Sequence, residues 1–288
     1  MATTGVNTIS TKTYRDKYRQ ANLEKILRNA LVAEKVCMVD RSGAKTIQNP
    51  YGAQTAAQVT TLTGTYRVDD YVTTDDTLTV NVEIKAAEQV YDFEESLSVF
   101  NLFANRADEQ AYAIAAAVDT FVINNLCEDG TGTYTTPVGG FTTAANLNQI
   151  MANLISKVAG FAQIYKGLFL IVENTDVVGI IQAQATNGFS FADAALNNGL
   201  IGNYMGVDVY VVRAGTYTDA TQAGITWTNV GHRVFGVKMM ATYAQPQGVK
   251  FEEKGVSGKT GMEVVTYCYI GFKLWAVNTS LVVDITLA

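Results

Sequence analysis

Over residues 77–85 the chain alternates strictly, with Leu78, Val80, Val82 and Ile84 on one side and Thr77, Thr79, Asn81, Glu83 and Lys85 on the other. A period of two is the pattern of a half-buried strand. Upstream, residues 61–68 set Leu62, Tyr66 and Val68 against Thr61, Thr63, Thr65 and Arg67, which predicts a partner strand and hence a long β-ribbon. Two strands of about nine residues reach roughly 30 Å from their base. Between them lie Asp69, Asp70, Thr74, Asp75 and Asp76, residue types that favour a turn at the tip. A lone two-stranded ribbon is marginal in water. The apolar stripe therefore needs cover, and the expectation is that another copy of the chain supplies it beyond the base.

After the ribbon the period changes. Ala107, Ala111, Ile114, Ala115, Val118, Phe121 and Val122 recur at helical spacing, predicting one helix over 98–126 that Glu128, Asp129 and Gly130 terminate. About 25 residues make a helix near 40 Å long. Residues 131–140, rich in Thr and Gly, read as a flexible joint. Beyond them a small α/β layer is expected. Thr143 would cap a helix bearing Leu147, Ile150, Met151, Leu154, Ile155 and Val158. The apolar run 167–172 has the composition of a central strand, and Asn174 or Thr175 would cap a helix over 176–184. Further strands are predicted at 207–212, 234–240, 248–253, 262–270 and 273–285, and a rough helical stripe covers 13–36.

Composition adds that the chain is folded, with a core of some size: 288 residues, 48% hydrophobic and only 17% charged. The net charge of −6 is unevenly placed. Residues 1–45 hold nine Lys/Arg against four acids, a net of +5, whereas residues 66–95 hold two against nine, a net of −7. These read either as complementary surfaces of neighbouring copies or as two solvated faces. An acidic chain without clustered Arg-aromatic pattern is a poor nucleic-acid reader. No run of about 18 apolar residues predicts a membrane span, and no signal-peptide pattern opens the chain, so a cytoplasmic origin is expected. Cys37, Cys127 and Cys268 are odd in number and widely spaced, which predicts buried reduced thiols.

Candidate chemistry is sparse. The one histidine, His232, is expected in a surface turn, where it cannot assemble a metal cluster. The acid pairs Asp69-Asp70, Asp75-Asp76 and Glu94-Glu95 lack calcium-loop spacing, and adjacent strand residues face opposite ways; a solvated tip is expected. Gly258-Lys259-Thr260 resembles the end of a phosphate loop, but Gly255 lies only three residues before Gly258 and a strand follows, so a hairpin turn is predicted. No catalytic residue, cofactor or metal is expected.

The order of parts (N-terminal arm, long β-ribbon, long helix, α/β layer, returning strands) resembles the HK97-like major capsid proteins of tailed double-stranded DNA phages. Residues 196–212, a short polar stretch with glycines leading into a strand, are similar to that family's axial domain. The resemblance implies an α+β fold: an arm over 1–46, an extended loop over 47–92, a peripheral domain over 93–130 and 234–270 with a spine helix at 96–127, and an axial domain over 131–233 and 271–288. It implies a structural subunit of an icosahedral head, assembled in the host cytoplasm as hexamers and pentamers around double-stranded DNA. Expected inter-subunit contacts are Lys12, Arg15, Lys17 and Arg19 of the arm, with Tyr66, Arg67, Asp69, Asp70, Asp75, Asp76, Leu78, Val80, Val82 and Ile84 of the ribbon. Expected partners are further copies of the chain, a scaffold, a portal and decoration proteins, with DNA held by non-specific proximity and no membrane. Some family members cross-link through a lysine on the extended loop; between Lys45 and Lys85 this chain has none. With no long N-terminal helical domain, a separate scaffold is expected. An encapsulin-type shell around cargo protein, or an enzyme on residues 131–288, are the alternative readings.

Overall fold

A computed structural model describes residues 23, 25–26, 31–49, 59–65, 76–90, 102–187, 200–255 and 262–288. In chain order, helix α1 (Ala33–Val36) precedes strands β1 (Met38–Asp40), β2 (Thr46–Gln48), β3 (Thr77–Thr79) and β4 (Val82–Val90). The long helix α2 (Leu102–Asp129) leads to β5 (Gly132–Thr135), helix α3 (Leu147–Val158), β6 (Leu168–Glu173) and helix α4 (Val177–Asn187). Strands β7 (Leu200–Tyr204), β8 (Val207–Val212), β9 (Asp219–Gln222) and β10 (Ile225–Thr228) follow. The chain closes with β11 (His232–Val237), β12 (Ala241–Ala244), β13 (Lys250–Gly255), β14 (Met262–Leu274) and β15 (Val282–Thr286).

Two main sheets share one hydrophobic core through α2. The first is six-stranded in the order β5-β15-β11-β6-β8-β7. The apolar run read as a central strand is β6, parallel to β8 and antiparallel to β11, with Leu168 to Val172 all buried. The second sheet runs β1-β12-β14-β13, with β4 also paired to β14. Helix α2 buries the expected Ala111, Ile114, Ala115, Val118, Phe121 and Val122, and extends the stripe to Leu126 and Cys127. Its 28 residues make it about 42 Å long. At one end the Gln110 side chain donates from Nε2 to the Val264 carbonyl and accepts from the Thr266 hydroxyl at 2.6 Å, fixing the helix on β14.

Several expectations need correction. Residues 132–135 are no joint: β5 adds in parallel to β15. Thr143 makes no capping hydrogen bond, because a 3-10 turn, Ala144–Asn146, comes between it and α3. Val177 opens α4, so Asp176, not Asn174 or Thr175, holds the N-terminal position. The strand expected over 273–285 is three elements, since β14 ends at Leu274 and a 3-10 helix, Ala276–Leu281, turns the chain into β15. Buried Trp275 and Asn278 anchor that turn, with Asn278 Nδ2 donating to the Met240 carbonyl. Met239, at φ 63°, ends the strand expected to reach 240, so β11 stops at Val237. Residues 256–261 lie outside the described residues, but β13 and β14 on either side pair antiparallel with Gly255 opposite Met262.

Buried polar pairs lock the excursion between β8 and β11 onto α2. Asn124 donates to the Thr216 carbonyl at 2.8 Å and accepts from Thr218 N–H and Asn229 Nδ2, and Trp227 Nε1 donates to Asn125 Oδ1 at 3.3 Å. Arg233 is buried against Asp176 and Glu173, with its guanidinium 5.1 Å from the Tyr217 ring centre. All three cysteines are free and buried, as expected. Among the described residues no helix is long and apolar enough to cross a membrane.

Candidate inter-subunit surface

Residues 46–48 and 77–79 form a short two-stranded ribbon beside the second sheet. Strands β2 and β3 pair antiparallel, with Ile47 opposite Leu78, and Asn49 N–H donates to the Asp76 carbonyl at 2.9 Å. Leu78 is buried against Ala244 and Trp275, with Ile47 and Val80 packed alongside. Trp275 Nε1 donates to Thr242 Oγ1 at 2.8 Å, so the indole has both its apolar cover and its polar partner. Asp76 adds a polar clamp: one carboxylate oxygen accepts from Ala276 N–H at 2.9 Å and the other lies 3.2 Å from Lys273 Nζ. A Cβ on Gly271 would stand 2.9 Å from Leu78 Cδ2 and 3.0 Å from the Thr79 carbonyl oxygen, so only glycine lets β3 cross β14 this closely.

This geometry corrects the reading of the ribbon. The in–out alternation is as expected: Thr77, Thr79, Asn81, Glu83 and Lys85 are exposed, Leu78 and Val82 buried, Val80 and Ile84 half-buried. Its cover comes from the same chain. The run breaks at Val80–Asn81 into two strands with different partners, β3 on β2 and β4 on β14, whose register sets Ile84 opposite Cys268. Leu78 and Val82 are thus buried within their own chain. Asp76 sits at the ribbon base and not at a solvated tip. Within 61–68, the described residues 61–65 form a turn, with Gly64 N–H donating to the Thr61 carbonyl at 2.8 Å, where a strand was expected. In it Leu62 is 109% exposed, as is Val59 at 102% just before it, so no described residue covers either. Lys12, Arg15, Lys17, Arg19, Tyr66, Arg67, Asp69, Asp70 and Asp75 lie outside the described residues.

A second junction joins the inner end of the N-terminal segment to α2. The Asp119 carboxylate accepts from Val32 N–H at 3.1 Å and Ala33 N–H at 2.9 Å. Burial pushes this carboxyl up to about 7, against the pull of those two hydrogen bonds and of nearby Lys35. Strand β1 then pairs with β12, and Glu34 and Arg41 form an ion pair above it. Sequence reading missed Asp119, although a carboxylate one helical turn after Ala115, on the face that faces the core, was a signal. Trp275, Lys273 and Gly271 left none, because their role depends on a strand pairing far along the chain.

His232 also differs from expectation. It opens β11, half-buried, with Nδ1 2.9 Å from Asp284 Oδ1. The buried Cys127 thiol is pushed well up, first by burial and then by the Asp284 charge, which its S–H faces. The carboxylate thus stands between thiol and imidazole. Nucleophilic catalysis needs the imidazole in the middle and a thiol held low. Among the described residues no group of three or more His, Cys, Asp or Glu side chains could hold a metal ion.

No protein-family model and no curated protein matches the sequence. Solved structures do match over almost the whole length. The capsid of cyanophage P-SCSP1u is 11% identical with a TM-score of 0.63, over 90% of this chain and 89% of that one. The capsid of an empty GTA particle is 14% identical with a TM-score of 0.64, over 90% of each chain. A virus-like particle from Pyrococcus furiosus is 10% identical with a TM-score of 0.61, over 94% of this chain and 99% of that one. At such identities the likeness is one of fold, and the chain has the α+β HK97-like capsid fold.

Proposed function

We propose that this chain is the structural subunit of an icosahedral phage head, assembling into hexamers and pentamers around double-stranded DNA. The observation that carries this reading is the contrast within one loop. Its base is fixed by Leu78, Trp275, Asp76 and Lys273, while Val59 and Leu62 beyond that base are fully exposed aliphatic side chains. A packed base followed by exposed aliphatic side chains suits a loop that lies on another copy of the chain.

In this reading α2 and the sheet built on β14 form the peripheral domain, the six-stranded sheet forms the axial domain, and residues 47–92 are the extended loop. Lys12, Arg15, Lys17 and Arg19 of the arm meet the acidic Asp69, Asp70 and Asp75 of an adjacent loop, with Tyr66 and Arg67 in the same contact. The mechanism is binding, not catalysis, with no cofactor. A separate scaffold, a portal and decoration proteins act with the chain during assembly in the host cytoplasm, and the product is the virion shell.

Sedimentation and electron microscopy of the purified chain, alone and with co-expressed phage assembly proteins, test the reading. Closed shells or capsomer-sized rings are expected. A stable monodisperse monomer under all conditions overturns it. Shells that package a cargo protein in place of nucleic acid give the function to an encapsulin-type compartment.

A further inference from the structure

Beside the first half of β4 lies a cavity of about 270 Å³. Val82 and Ile84 of β4, Ala117 and Phe121 of α2, and Ala223 of the β9–β10 turn supply its apolar walls. The charges at its rim cancel, because Glu83 and Lys85 lie 3.6 Å apart. Among the described residues β14 is the one strand paired with β4, so no described strand pairs with its other edge. The hole is therefore lined by five apolar side chains together with Glu83, Lys85 and Gln222, and carries no net charge.

The chain also carries a side chain suited to it. Leu62 holds the second position of the turn closed by Thr61 and Gly64, 109% exposed, in an uncharged segment, Val59-Thr-Thr-Leu-Thr-Gly-Thr65. It falls near the middle of the stretch between Gln48 and Thr77, where the loop has its greatest reach. Doubled back from that base, a chain of this length extends at most roughly 50 Å, enough to cross onto an adjacent subunit. A second cavity of about 190 Å³, between α2 and the end of β8, is smaller, and the buried Asp119 and the exposed Arg213 are among its lining residues.

We propose that Leu62 of one copy seats in the β4–α2 cavity of the neighbouring copy. The inference rests on the shell reading and names the receiving site for the loop. A knob on a turn needs no register with its partner, so one leucine can find the same hole in hexamers and pentamers although subunit angles differ between them.

The test is a mixed disulfide between two single variants, Leu62→Cys and Ala117→Cys, assembled together and oxidised; the native thiols are buried and do not compete. A covalent dimer is expected from the mixture, none from either variant alone, and none when Ala116→Cys, at the second cavity, replaces Ala117→Cys. The double variant should give a ladder of linked chains, and an internally linked monomer overturns the inference by placing Leu62 in its own cavity. As Leu62 is fully exposed, Leu62→Glu folds normally, and it should raise the concentration needed for assembly at least about tenfold, whereas Leu62→Met should not. Shells that form with no cross-link and no effect of Leu62→Glu overturn the inference while sparing the shell reading. Wild-type protein that forms no particle overturns that reading, and the inference with it.

Discussion

The N–H of Ala33 donates to Asp119 Oδ1 at 2.9 Å, tying the inner end of the N-terminal segment to the middle of the long helix. Both carboxylate oxygens are committed to that segment, so the helix holds it through a buried acid and not through an apolar contact alone.

The pH dependence of this contact has a definite sign. Burial raises the Asp119 carboxyl to about 7, above the roughly 3.9 of an unfolded chain. The folded chain therefore binds that proton more tightly. The stabilisation is complete below about pH 4, shrinks as pH rises, and is gone above about pH 7. Urea unfolding at pH 5 and pH 8 should show the wild type losing roughly 2–3 kcal/mol more across that range than Asp119→Asn does. Equal losses in the two proteins contradict the assignment.

Leu78→Ala should cost about 2–5 kcal/mol, because it opens a void between Ile47, Ala244 and Trp275. Leu62→Ala should leave the stability of the single chain within about 0.5 kcal/mol. Thermal unfolding of both variants checks the distinction between a core leucine at the loop base and a solvent-facing one beyond it.

Gly271→Ala should destabilise by about 1–3 kcal/mol through overpacking. The new Cβ would lie 2.9 Å from Leu78 Cδ2, 3.0 Å from the Thr79 carbonyl oxygen and 3.1 Å from Val80 Cα, two of which are backbone atoms and cannot swing away. Limited proteolysis should cut the loop over 49–76 faster in this variant than in the wild type.

Asp176→Ala should cost about 3–5 kcal/mol, since it leaves the buried Arg233 guanidinium short of a carboxylate. Replacing Lys85, whose pair with Glu83 is exposed, should change stability by less than about 1 kcal/mol. Chemical denaturation of the two variants side by side separates a buried ion pair from a surface one.

How much of this was legible in the sequence follows from the range of each interaction. The alternation at 77–85, the stripe of α2 and the apolar run of β6 were readable, because period and composition are local. What covers Leu78 and Val82 was not: Trp275 and the β14 residues opposite β4 lie far along the chain, and an apolar face looks the same in sequence whether its own chain or another covers it. The same limit hid the parallel pairing of β5 with β15 inside a Thr- and Gly-rich stretch, and the commitment of Asp76 to Lys273. Asp119 was legible in principle, as a carboxylate on a core-facing helical position. The exposed turn at Leu62 was not, since residues 61–68 carry enough Thr and alternation to read as a strand.

Cryo-electron microscopy of assembled particles tests the central claim most directly. The account predicts a closed shell with fivefold and sixfold clusters in which residues 59–65 of each chain lie on the adjacent subunit, Leu62 pointing toward its β4. Particles in which every extended loop folds back on its own chain, or protein that forms no shell at all, contradict it.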